Sequence, residues 1–495
     1  MPQTEQLVFN FPGMSYGAPL APPRSHRIYC NRNLRFDLIQ MIGFDMDYTL
    51  AIYNQAEMDR LSIEVTIKKL VEQGYPELLL KMPFRTDFPI RGLHIDKKYG
   101  HVLKMDRYQY VKKAYHGLHR LSLEERRSLY HRNRLRVGSS RYHWVDTLYA
   151  LSEVSVFSAA VEALDKIYDT VDYEKLFTDI RTCIDLAHQD GSILDEVSAD
   201  LPRFVYRDDL LARTLHKLRS SGKRLFLLTN SQADYTQKMM TYLLEGQIPE
   251  YASWKSYFDM IICAARKPLF FEGGTPLLEV LPNGERRETQ ELERGKIYMG
   301  GNVALFEQLS GVGGDDVLYV GDHIYGDVLR TKKESAWRTA MILQEMTEEL
   351  GALERCEADI SHMDHLDLLR DALYDELREH QTQFRHTLGQ LDQVELDPAE
   401  KTALEARRTL LKRRVETLRT RFRALDQEFN TLEEEVDRAF HPFWGSLLKS
   451  GPEVSSFGDQ VEKYACLYTD RVSSFWYYSP MHYFRSPRDR MPHER

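Results

Sequence analysis

Three short apolar runs, each ending in small or acidic residues, constrain the fold of this chain more than any other feature. Leu38 to Phe44 leads into Asp45-Met46-Asp47-Tyr48-Thr49. Arg224 to Leu228 leads into Thr229-Asn230-Ser231, and Asp316 to Val320 leads into Gly321-Asp322. Runs this short and this continuously apolar suit strands buried on both faces. Helical patterns lie near them, such as Leu210, Leu211, Leu215 and Leu218 before the break at Gly222. The pattern predicts an α/β fold with a doubly wound, mainly parallel sheet, which binds ligands at the carboxyl ends of its strands.

A chain of 495 residues is too long for one simple core. Residues 1–33, with several Pro and Gly and no sustained periodicity, read as an N-terminal arm. The core is expected over 34–55 and 200–345. The roughly 150 residues between the first two strands do not continue the alternation and read as a cap domain over 56–199. Its first part, Gly92 to Gly117, reads as short strands with a turn at Tyr99-Gly100, and Arg141 to Ala199 as mostly helical, so the cap is mainly helical. Over 346–450 the composition changes. Leu404, Leu411, Val415, Leu418, Phe422, Leu425, Phe429, Leu432 and Val436 form a heptad seam, opened by Asp397-Pro398-Ala399-Glu400 as a helix start. With Leu366, Leu373, Leu377, Phe384, Leu388 and Leu391 before it, this predicts an antiparallel helical hairpin. The segment 451–495 holds Tyr464, Tyr468, Phe475, Trp476, Tyr477, Tyr478, Tyr483 and Phe484 and is too apolar for a free tail. It is expected to pack on the core or at a subunit interface.

The net charge of −9 argues against a nucleic-acid-binding body, while leaving room for a nucleotide in a pocket. No apolar stretch is long enough to span a bilayer, and the first residues lack a signal-peptide pattern, so no membrane association is expected. The cysteines at 30, 183, 263, 356 and 466 are scattered, which offers neither a disulfide framework nor a zinc site and fits a reducing cytoplasm.

Asp45 and Asp47, two apart in extended chain, would point to the same side. Two such acids suit phosphoryl transfer, in which one carboxylate attacks phosphorus, one carries a proton and a divalent ion gathers charge. Thr229, Asn230 and Ser231 offer hydroxyl, amide and backbone N–H groups to phosphate oxygens. Lys267, in Ala265-Arg266-Lys267-Pro268, supplies a fixed positive charge. Gly321 to Asp327 adds the acids Asp322 and Asp327, and an oxygen-only donor set suits a hard ion such as Mg²⁺.

In this order, the four elements resemble the signature of the haloacid-dehalogenase-like phosphohydrolases, whose fold is a Rossmann-like sheet. The resemblance implies Asp45 as nucleophile, Asp47 as general acid/base and Thr229 as a phosphate ligand. It also implies that Lys267 steadies the nucleophile and that Asp327 supports Lys267 or the metal shell. Asp45, Asp322 and the Asp47 carbonyl would then hold Mg²⁺. Further segments narrow the resemblance to the cytosolic purine 5′-nucleotidase family, which prefers IMP and GMP. Among them are Arg91-Gly92-Leu93, Asp96 to Gly100, Leu103-Lys104-Met105-Asp106, Trp337-Arg338-Thr339 and Met491 to Glu494.

That family implies a purine nucleoside monophosphate substrate, whose base is held by Arg181, Asp185 and His188 on one helical face and by a stacking Tyr149. Ala150, Gln189 and Leu194 depart from the family's Asn, Tyr and Lys at those positions. A nucleotide effector site is implied at Arg136, Asp146, Tyr325, Lys333, Gln460 and Tyr464, with Asp146 replacing an Asn. The resemblance also implies a homodimer or homotetramer, and phosphotransfer to a nucleoside when one replaces water. Two other readings stay open at this point: a phosphatase for another small ester such as a sugar phosphate, and a non-catalytic nucleotide sensor.

Overall fold

The computed structural model describes residues 22–130, 135–329, 331, 335–392 and 397–487. Its centre is a ten-stranded sheet. In chain order the strands are β1 (Tyr29–Cys30), β2 (Met41–Phe44), β3 (Arg224–Leu228), β4 (Met260–Cys263), β5 (Leu277–Val280), β6 (Arg286–Glu288), β7 (Ile297–Gly300), β8 (Val317–Gly321), β9 (Arg338–Ile342) and β10 (Leu467–Thr469). Across the sheet they lie in the order β1-β10-β9-β8-β2-β3-β4-β7-β5-β6. The seven from β10 to β7 are parallel; at the margins β1 and β5 run antiparallel to them, and β6 pairs antiparallel with β5. The three apolar runs of the sequence are the adjacent strands β8, β2 and β3. Chain order reverses at β2, which makes its carboxyl end the switch point where such sheets open a crevice.

Gly43 explains how β2 fits between its neighbours. It is paired with Phe226 of β3 on one side and Tyr319 of β8 on the other. Those two rings stack across it with centroids 6.2 Å apart. A Cβ on Gly43 would lie 2.1 Å from the Phe226 ring, so no other residue fits without displacing it. Phe306 and Trp337 complete the aromatic cluster on that face.

Between β2 and β3 the chain forms helix α1 (Gln55–Glu72), a five-stranded antiparallel sheet, and helices α2 (Leu151–Leu164) and α3 (Tyr173–Gln189). The small sheet contains His94–Asp96, His101–Met105, Val111–His116 and Tyr142–Trp144. The turn between its first two strands needs Gly100 at φ +66°, where a Cβ would also press on Tyr173. The α2 helix is buried along nearly its whole length between α1 and α3.

After β9 come two long antiparallel helices, α4 (Glu357–Leu391) and α5 (Pro398–Phe440). The α5 helix starts at Pro398 as the sequence predicts, although Asp397 makes no side-chain capping bond. Leu411, Val415, Leu418 and Phe429 are buried on α5, and Leu366 on α4. Two helices share only one seam, so Phe422, Leu425 and Leu373 stay half-exposed. At the base of the hairpin, Lys104 from the cap donates to the carbonyls of Trp444 and Ser446 at 2.7 and 2.6 Å.

The 451–495 segment then contributes β10, which inserts between β9 and β1. Of the arm read over 1–33, residues 1–21 lie outside the described residues, and the rest ends in β1 on β10. No helix among the described residues is long and apolar enough to cross a membrane. No disulfide joins any of the cysteines among the described residues.

Two outcomes follow for stability. Gly43→Ala should lower the unfolding free energy by about 1–3 kcal/mol through overpacking, read from the urea midpoint. Adding Phe226→Leu should recover part of that loss. Burial pushes His94 down to about 3, against 6.5 for an ordinary histidine. The unfolded chain therefore binds more protons between those values, and the stability present above pH 6.5 is lost as pH falls toward 3. Buried acids such as Asp59, raised to about 7 by burial, work in the opposite direction. A comparison with His94→Leu isolates the histidine. The stability of the variant relative to the native chain should rise by about 2 kcal/mol between pH 7 and pH 5.

Candidate active site

The carboxyl ends of β2 and β8 deliver the acids to one place, and the segment after β4 brings Lys267 to them. The β2 strand stops at Phe44, and Asp45 keeps only one ladder bond, its N–H donating to the Val320 carbonyl at 2.9 Å. From Met46 the chain turns, with the Met46 carbonyl accepting from the N–H groups of Thr49, Leu50 and Ala51. Tyr48 sits at φ +56°, a strained backbone for so large a residue. Strand alternation is therefore not what aims the two acids, because Asp47 belongs to this turn.

The two carboxylates have separate partners. Asp45 Oδ1 accepts from the Met46 N–H at 2.8 Å and lies 3.0 Å from Lys267 Nζ. Asp47 accepts from the Tyr53 hydroxyl at 2.6 Å on one oxygen and from the Ser231 hydroxyl at 2.5 Å on the other. Tyr53 also meets the Tyr235 hydroxyl at 2.9 Å.

Lys267 is held from three sides. Its ammonium donates to Asp327 at 2.6 Å and to the Tyr319 hydroxyl at 2.8 Å, and it faces Asp45. Tyr319 in turn donates to the Leu228 carbonyl. Asn230 grips the Lys267 backbone reciprocally, accepting from its N–H at 2.6 Å and donating to its carbonyl at 3.0 Å. The Asn230 amide thus builds the lysine loop, while Thr229 is fully buried and accepts from the Ser231 N–H at 3.1 Å. Gly321 makes room for Asp327, whose carboxylate a Cβ there would meet at 2.5 Å.

Asp322 is buried beside Arg91, which was noted in the sequence only as part of a motif. Arg91 donates to the Asp322 carbonyl at 3.0 Å and forks onto Glu345 at 2.7 and 2.5 Å.

Burial raises Asp45 to about 7, against the pull of Lys267 and with help from Asp327 and Asp47. Burial, then the charge of Asp327, raises Asp322 well above the usual range. Burial works against the Lys267 ammonium, but Asp327 and Asp45 outweigh it and lift its pKa well above that of an ordinary lysine.

Ligand atoms of Asp45, Asp322 and Asp327 lie within 4.8 Å of one another, a group that can hold a metal ion. Three buried carboxylates share one lysine there, and Arg91 is engaged by Glu345. The excess negative charge and the all-oxygen donor set fit a hard divalent cation. The Asp47 carboxylate lies outside that group, turned toward Tyr53 and Ser231.

The cap contributes a cavity of about 500 Å³ lined by Tyr149, Ala150, Arg181, Asp185 and His188, together with Asp146, His323 and Tyr325. Tyr149 joins it to the strand end, meeting the Tyr48 ring edge-on at 4.7 Å and His188 at 5.7 Å. Two lining residues escaped the sequence reading. Glu153, in the first turn of α2, is buried and pairs with Arg181 at 3.1 Å, and His143 lies 3.4 Å from the same guanidinium. One of only two acids in a helix otherwise built of apolar and small residues, it was the signal available. Burial, then Arg181, lowers His143 to about 4, so it is neutral near pH 7.

Of the residues singled out for an effector, Asp146 and Tyr325 line this same cavity. Gln460 and Tyr464 sit on the helix Ser456–Tyr464, which packs through Phe457 and Val461 on Ile324 and Val328. Arg136 is exposed, and Lys333 lies outside the described residues.

The family model of the 5′ nucleotidase family matches residues 28–495. The chain belongs to the 5′ nucleotidase family. A 5′-nucleotidase domain-containing protein of Dictyostelium discoideum is 31% identical over 333 residues. That match covers 66% of this chain and 56% of the relative, so the chain spans little more than half of that protein's length. Among solved structures, a predicted phosphoglycolate phosphatase from Haemophilus somnus is 14% identical. It covers 62% of this chain and 85% of its own at a TM-score of 0.26, too weak a likeness to carry an argument. In this 5′ nucleotidase family chain, the acids and the lysine meet at the switch point of its own sheet.

Lys267→Met should destabilise the protein by about 3–5 kcal/mol at pH 7, because it leaves buried carboxylates without their partner. Chemical denaturation of the metal-free protein reads the difference.

Proposed function

We propose that this chain is a Mg²⁺-dependent 5′-nucleotidase that hydrolyses purine nucleoside 5′-monophosphates, IMP and GMP before AMP, through an aspartyl phosphate on Asp45. The observation that carries the reading is the placement of Asp45. It ends β2 at the switch point, with Lys267 at 3.0 Å and the cap cavity reached through Tyr48 and Tyr149. Oδ1 of Asp45 accepts from Met46 and faces Lys267, which leaves Oδ2 to attack phosphorus. As that bond forms, the bond from phosphorus to the ribose O5′ breaks, and Asp47 gives its proton to the departing oxygen. Burial raises Asp47, against the hydrogen bonds it accepts from Ser231 and Tyr53.

In the second half, Asp47 takes a proton from water, whose oxygen attacks the acyl phosphate and releases phosphate from Asp45. Lys267 neutralises charge on the transferring group throughout. Asp45, Asp322 and the Asp47 carbonyl, with Asp327 beside them, would hold Mg²⁺, which would supply positive charge to the phosphoryl oxygens. A nucleoside in place of water would give phosphotransfer. Arg181, Asp185 and His188 offer donors and an acceptor to a base edge, and Tyr149 offers a ring face. We further assign a homo-oligomer in a reducing cytoplasm, with a nucleotide effector site that includes Asp146 and Tyr325.

Phosphate release from IMP, GMP, AMP, CMP and ribose 5-phosphate, with Mg²⁺ and with EDTA, tests the assignment. Purine monophosphates with a 6-oxo group should lead the series, EDTA should abolish turnover, and Asp45→Asn should reduce it by at least about four orders of magnitude. Equal rates on ribose 5-phosphate and IMP would move the substrate to sugar phosphates, and turnover by Asp45→Asn would remove the nucleophile.

A further inference from the structure

The Arg181 guanidinium on α3 projects into the cap cavity, and its side chain is 38% exposed. A long, half-exposed side chain of this kind samples many rotamers and gives up that freedom when it binds a ligand. Here one terminal nitrogen is already fastened. Nη1 donates to both carboxylate oxygens of Glu153, at 3.1 and 3.2 Å, and reaches Nε2 of the neutral His143 at 3.4 Å. Glu153 is only 6% exposed in its side chain and sits on α2, a helix buried between its neighbours, so it cannot follow the arginine if that swings away. Nε and Nη2 make no hydrogen bond among the described residues.

A guanidinium fixed at one corner presents its other edge in one plane. The Nε and Nη2 donors of that edge match two acceptors side by side, such as the oxo group and N7 of a 6-oxopurine. A 6-amino group in the same place would set donor against donor. Resting on the nucleotidase reading, we propose that Glu153 is a positioning residue. It locks Arg181 so that the arginine's free edge reads the 6-oxo group, and thereby imposes the preference for 6-oxopurine over 6-aminopurine monophosphates. Asp185, one turn along α3, does not share this bond, so the two acids have separate tasks.

Steady-state kinetics on IMP and AMP for the native chain, Glu153→Ala, Glu153→Gln, Arg181→Ala and the double variant Glu153→Ala/Arg181→Ala test this. Thermal melts run alongside. In Glu153→Ala the ratio of kcat/KM for IMP to that for AMP should fall about tenfold or more, chiefly through a higher KM for IMP. Glu153→Gln keeps the volume and one acceptor oxygen and should retain part of the ratio. The double variant should be no less selective than Arg181→Ala alone, because the two residues act as one unit. The proposal is overturned if Glu153→Ala and Glu153→Gln lose IMP and AMP turnover equally, which would make the pair a structural strut. It is also overturned if the two single losses add. A native chain that does not favour IMP over AMP would instead overturn the oxopurine reading itself, and this inference with it.

Discussion

The Lys267 ammonium is buried between the carboxylates of Asp45 and Asp327 and against the Tyr319 hydroxyl. Buried carboxylates without partners cost several kcal/mol each, so the surrounding structure is arranged around keeping that lysine in place. Asn230 holds its backbone at both ends, and Tyr319, whose ring stacks with that of Phe226 across Gly43, accepts from the ammonium through its hydroxyl. Gly321 brings in Asp327. On the far side of the acids, Arg91 ties Asp322 to Glu345, which couples the cap and the segment after β9 to the same cluster. The charge left uncompensated is what suits the group to holding a cation.

Much of this was legible in the sequence because the informative residues are local to strand ends. Three apolar runs announced a parallel sheet, and the acids and the Thr-Asn-Ser turn follow directly from their ends, while Lys267 follows a fourth strand, β4. The heptad seam likewise announced α4 and α5, since a periodic pattern needs no tertiary context to be read. What escaped depends on partners distant in the chain. Asn230 reads as a phosphate group donor until Lys267 is seen beside it, and Tyr53 gains meaning only from Asp47 in a turn that strand alternation does not describe. Glu153 and Arg181 are 28 residues apart on separate helices. The strand β10 is three residues long, with its neighbours more than a hundred residues earlier, so no local pattern marks it.

Chemistry and recognition are divided between two layers. The strand ends hold the acids and the lysine, and the cap helices hold the cavity. They meet through the edge-on contact of Tyr48 and Tyr149, where Tyr48 follows Asp47 in the chain. Tyr48, with its strained backbone, carries the ring that meets Tyr149, so a change in the turn alters both the placement of Asp47 and the approach to the cavity.

The insertion of β10 between β9 and β1 bears on how the chain reaches its folded state. The sheet's margin on that side is built from the first described strand and one of the last, with the whole α4–α5 hairpin between β9 and β10. While the chain is being made, β9 presents an open edge until about 125 further residues have emerged. The hairpin shortens that wait in space though not in time. Its two helices run out and back, so the chain returns close to where it left and the entropy of joining β10 to β9 is that of a much shorter loop. A ribosome pausing late in this message would hold a nearly complete catalytic cluster beside an unfinished sheet.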